Sequence, residues 1–94
     1  MIILSLTYKA TLEDAEKLME AHMDWVKQGY ENGHFLASGR KVPRTGGIIL
    51  AKGDRAEIER YFATDPFIVN DIAAYEVIEA AVSRTAPGLE ILKS

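Results

Sequence analysis

Apolar side chains alternate with others from Ile2 to Tyr8, which predicts a strand. Its two faces carry Ile2, Leu4 and Leu6 on one side and Ile3, Ser5 and Thr7 on the other. The period then lengthens. Ala15, Leu18, Met19, His22, Trp25, Val26 and Gly29 recur at helical spacing, so one amphipathic helix is expected here. Thr11 is its cap, Asp14 puts a carboxylate in the first turn, and Asn32-Gly33 ends it. Residues 34–39 and 47–52 read as two strands of a hairpin, joined by the polar connection Arg40-Lys41-Val42-Pro43-Arg44-Thr45-Gly46. Asp54 to Glu57 has the form of a capping box, and Ile58, Tyr61 and Phe62 give a short second helix its apolar stripe. Asp65-Pro66 opens a further turn or short helical segment, since proline in a first helical position costs no hydrogen bond. Residues 74–82 suggest a last strand, its alternation blurred by Glu76 and Glu79, and a tail follows from Pro87-Gly88.

The order β-α-β-β-α-β is that of an α+β, ferredoxin-like fold: an antiparallel sheet with its helices on one face. Apolar residues lie on both faces of the first and third strands, so the uncovered face is expected to pair with that of a second copy as a homodimer. With 94 residues the chain suits a single domain, 1–94, with a core over 1–83 and a tail over 84–94. The absence of cysteine excludes disulfides, thiolate nucleophiles and zinc–thiolate sites. A net charge of −3 without a basic stripe argues against nucleic acid as a partner. No apolar run approaches the roughly 20 residues that span a bilayer, and the start of the chain lacks a secretory signal, so no membrane partner and a cytoplasmic location are expected.

The candidate chemistry centres on His22 and Asp65. A histidine on the apolar face of a helix is either a core residue satisfied by a carbonyl or a general acid–base. Asp65 before Pro66 is what a helix start prefers, and one carboxylate oxygen can cap while the other orients an imidazole. Ser38 and Gly39, at the end of the second strand, are candidates for contact with a substrate; the competing reading is an ordinary strand end. Arg40, with Lys41 and Arg44, could hold a carboxylate or phenolate, or form a solvated loop. A metal site of His22, His34 and Asp65 is conceivable, but His34 lies on a strand whose register the sequence does not fix, and no metal is expected. Neither Gly-x-x-x-x-Gly-Lys-Ser/Thr nor Gly-x-Gly-x-x-Gly occurs, and no cofactor is expected. Trp25, Tyr8, Tyr30, Tyr61 and Phe67 could line an aromatic pocket; the competing reading, favoured at these spacings, is that most are core residues.

Four stretches, in order, resemble the YCII-related proteins of the dimeric α+β-barrel superfamily: Ala21-His22-Met23-Asp24-Trp25, Gly33-His34-Phe35-Leu36-Ala37-Ser38-Gly39, Gly46-Gly47 and Thr64-Asp65-Pro66-Phe67. The basic loop at residues 40–44 and the tail are the parts that differ. The resemblance implies a dimer and assigns proposed active-site roles to His22 and Asp65. The family includes a dehydrochlorinase acting on a chlorinated, hydroxylated ring, although most members have no assigned reaction. The expected function is therefore that of a small lyase or isomerase transferring protons on a small organic acid or hydroxylated aromatic. A small-molecule-binding or interaction module without catalysis is one alternative, and a cofactor-free monooxygenase of the same superfamily another.

Overall fold

The structure, a computed structural model, describes residues Met1–Ser94. Four strands, β1 (Ile2–Tyr8), β2 (Phe35–Arg40), β3 (Gly46–Ala51) and β4 (Ala73–Glu79), form an antiparallel sheet in the order β2-β3-β1-β4. The helices are α1 (Leu12–Lys17), α2 (Met19–Glu31), α3 (Arg55–Phe62) and the single turn α4 (Pro66–Val69). The ferredoxin-like α+β arrangement expected from the sequence is the one observed. No helix is long and apolar enough to cross a membrane.

The expected first helix is two helices. Leu18 leaves helical geometry at φ −109°, ψ 4°, and its N–H bonds the carbonyl of Ala15 three residues back. Ala15 joins Leu6, Phe67 and Ala73, while Trp25 and Val26 of α2 pack with Ile2, Leu4, Phe35, Ile49, Ala51 and Ile58. The caps read from the sequence are made: Thr11 Oγ1 accepts from the Asp14 N–H (3.1 Å) and Asp54 Oδ2 from that of Glu57 (3.3 Å).

The alternation of β1 is the observed one, with Ile2, Leu4 and Leu6 buried beneath the helices. The cross-strand register carries this face through the sheet, because directly opposed residues point the same way. Tyr75, Leu6, Gly47 and Arg40 form one row, and Val77, Leu4, Ile49 and Ser38 the next. Gly46 lets β1 and β3 approach: a Cβ there would lie 1.8 Å from the Leu6 carbonyl oxygen. The outer face presents Ile48 (41 % exposed) and Ile78 (45 %). β4 starts one residue earlier than expected and ends at Glu79, a residue of the helix-side row that Arg55 Nη1 meets at 3.7 Å. Beyond it, the tail turns back so that Ser94 Oγ accepts from the Val82 N–H and the Met1 amine.

Candidate functional site

Asp65 is the cap of α4 and is wholly buried. Its Oδ1 accepts from the Phe67 N–H (3.0 Å) and faces Nδ1 of His22 at 2.8 Å. Its Oδ2 accepts from the Tyr75 hydroxyl at 2.7 Å. Helix α2 delivers His22 to this carboxylate because residue 22 shares the inward stripe with Trp25, Val26 and Gly29. His22 is 8 % exposed, and its ring lies flat on Phe67, with ring centroids 4.1 Å apart and planes 8° from parallel. Trp25 stacks at 5.7 Å on the same ring. A tight loop of bonds holds Trp25 in turn. Its indole N–H donates to Thr64 Oγ1 (3.0 Å), the Thr64 hydroxyl to the Tyr61 carbonyl (2.6 Å), and the Tyr61 hydroxyl to the Trp25 carbonyl (2.7 Å).

These contacts fix a tautomer. A carboxylate can only accept, so Nδ1 carries a proton, and in the neutral ring the lone pair is on Nε2. No protein group hydrogen-bonds Nε2, and it is not among the sealed unpartnered polar atoms. His22 borders a cavity of about 470 Å³ between α2 and the helix-side face of the sheet. Burial, reinforced by the Asp65 charge, raises the Tyr75 phenol well above the ordinary tyrosine range, so it remains a donor to Oδ2.

Ser38, Gly39 and Arg40 also border the cavity. The Ser38 hydroxyl shares a 2.7 Å hydrogen bond with that of Tyr30. Gly39 contributes backbone, and a Cβ there would meet nothing within 4 Å. Arg40 reaches the cavity from the end of β2, on the row that contains Leu6 and Tyr75. Arg44 is at the rim, ion-paired with Glu16. Asp65 lies behind His22 and does not line the space. His34 is elsewhere, with Nε2 3.9 Å from Glu57 and its ring tilted against Tyr61. Sequence reasoning missed Tyr75. Its signal was the alternation Ala73, Tyr75, Val77, which puts residue 75 on the helix side of β4.

The fold and this site define a class: a ferredoxin-like α+β protein with a buried His–Asp pair under a cavity on the helix side of its sheet. The YCII-related domain matches residues 1–81, and the chain belongs to that family. Among solved structures, it is similar to the 5-chloro-2-hydroxyhydroquinone dehydrochlorinase TftG from Burkholderia phenoliruptrix AC1100, in complex with 2,5-dihydroxybenzoquinone. The TM-score is 0.68 at 15 % identity, over 85 % of this chain and 93 % of that one, a likeness of fold. Over 43 residues, 46 % of the chain, it is also 46 % identical to the serine/threonine-protein kinase PLK4 of Drosophila grimshawi, and the match spans 5 % of that protein's length.

Proposed function

We propose that the protein is a small proton-transfer enzyme of the lyase or isomerase kind, acting on a hydroxylated ring or small organic acid in the cavity. The observation that carries this reading is the 2.8 Å contact of His22 Nδ1 with a fully buried carboxylate, in a residue that borders the cavity. His22 Nε2 takes a proton from an acidic C–H or O–H of the ligand. The electron pair released either expels a leaving group as its anion or returns to carbon at another position when His22 gives the proton back. Asp65 orients the ring and stabilises the imidazolium while it holds the proton. Ser38, the Gly39 backbone and Arg40 are the proposed substrate contacts. The dehydrochlorinase of the same fold makes a hydroxylated ring the ligand class to try first. The outer sheet face, with Ile48 and Ile78 exposed, is the proposed homodimer contact.

A second reading has its own observation. Asp65 caps α4 and satisfies donors from α2 and β4, so the pair could serve stability alone in a binding module. Solvent exchange separates the two. Hydroxylated aromatics and small acids are incubated with the protein in D2O, and deuterium entering carbon is followed by NMR. The enzyme reading expects protein-dependent exchange that falls by about 10²–10⁴-fold in His22→Gln. Exchange unchanged by that substitution would sink it.

A further inference from the structure

The charged side chains that line the cavity are all of one sign. Two guanidiniums, Arg40 and Arg44, line it, and no aspartate or glutamate does, in a chain whose net charge is −3. The two arginines are not equivalent. Arg44 is neutralised by Glu16 from α1, whereas Arg40 makes no ion pair with any carboxylate. The register places Arg40 in a row with Gly47, Leu6 and Tyr75 on the helix side, and Gly47 puts no side chain between Arg40 and Leu6. Across from this row, α2 offers Met19, Met23 and Val26. The result is a slot with apolar walls, the His22 imidazole at one place and a single uncompensated cation at another.

We propose that the cavity takes a planar organic monoanion, with its carboxylate or phenolate oxygen held by Arg40 and its ring between α2 and the sheet. This rests on the reading of the cavity as the ligand site and adds the charge of what enters it. An uncharged ring would cover Arg40 without giving the guanidinium an acceptor, which costs desolvation with nothing in return. A dianion would need Arg44 as well, and Glu16 already holds it. One free guanidinium matches one negative charge, and arginine meets a carboxylate through paired N–H donors.

Benzoate and its neutral isostere benzamide are the probes, titrated into the native protein while backbone amide and His22 imidazole resonances are followed. Benzoate is expected to bind at least about 10-fold more tightly than benzamide, as a charge-assisted contact predicts. Arg40→Gln should remove that preference. Glu16→Gln, which frees Arg44, should tighten benzoate by about threefold. Equal binding of the two probes overturns the proposal, as does a preference that survives Arg40→Gln, or no response to benzoate at high millimolar concentration. The two readings fail separately. Benzamide binding as well as benzoate beside a responding His22 ends the anion proposal and leaves the base in place. An Arg40-dependent preference with unresponsive His22 resonances supports the anion site and removes the base from it.

Discussion

Replacing Asp65 in two ways separates its hydrogen bonds from its charge. Asp65→Ala removes the acceptor from three donors: His22 Nδ1–H, the Phe67 N–H and the Tyr75 hydroxyl. The first two meet a carboxylate that is 0 % exposed, and a buried donor left unpaired costs about 1–3 kcal/mol. The Tyr75 hydroxyl, whose bond to Asp65 is only part-buried, adds less. The expected loss is about 3–5 kcal/mol, or roughly 12–25 °C in Tm for a domain of this size. Asp65→Asn keeps the shape. Its amide oxygen still accepts from Phe67 and His22, and its NH2 can donate to the Tyr75 oxygen, so about 1–2 kcal/mol is expected. Urea unfolding of the three proteins, with a common dependence on denaturant, measures both values. A loss below about 1 kcal/mol in Asp65→Ala, or equal losses in the two variants, would refute the claim that this carboxylate organises the site.

Further expectations follow from other contacts. Gly29→Ala should destabilise by about 1–3 kcal/mol in the same assay, despite the better helix propensity of alanine, because the new Cβ would lie 2.2 Å from the buried Phe35 ring; a stabilised variant would contradict the packing described. Burial and the Asp65 charge raise the Tyr75 phenol, so the folded protein keeps a proton that the unfolded chain loses near pH 10. Stability from this group is therefore complete below about pH 10 and falls above it, by about 1.4 kcal/mol per pH unit. Tyr75→Phe should lose less stability than the native protein between about pH 10 and 11, and equal slopes would show that the phenol is not held this way. On the outer sheet face, Ile78→Glu should turn a sedimenting dimer into a monomer, and a native protein that is monomeric at micromolar concentration would end the homodimer proposal.

The fold is largely legible in the sequence because its signals are local. The period-two run of Ile2–Tyr8, the caps at Thr11 and Asp54, and the Asp65-Pro66 helix start each describe a few neighbouring residues, and each is found where expected. The interruption at Leu18 is not legible. No glycine or proline marks it, and Ala15 before it and Met19 after it pack in the same cluster, so the apolar spacing runs on through it. The last strand looked blurred because Glu79 sits on the inner row, where Arg55 meets it, a contact no periodicity reveals. The contact of residues 22 and 65 was suggested by an odd histidine on an apolar stripe and by the family resemblance, since 43 positions separate them. The alternation of β4 gives the side on which Tyr75 lies, but its bond to Asp65 and the Glu16–Arg44 pair depend on tertiary proximity, so the third donor to Asp65 and the unequal state of the two arginines emerge only from the structure.

The central claim is that Asp65 holds the proton on Nδ1 of His22 and leaves Nε2 free toward the cavity. Long-range proton–nitrogen NMR of the His22 ring, in neutral form and assigned with His34→Gln, reads this directly. A protonated Nδ1, an unprotonated Nε2, and a shift of Nε2 when ligand is added are the predicted results. A protonated Nε2 would turn a donor toward the cavity and the ring's lone pair toward the carboxylate, and would contradict the account.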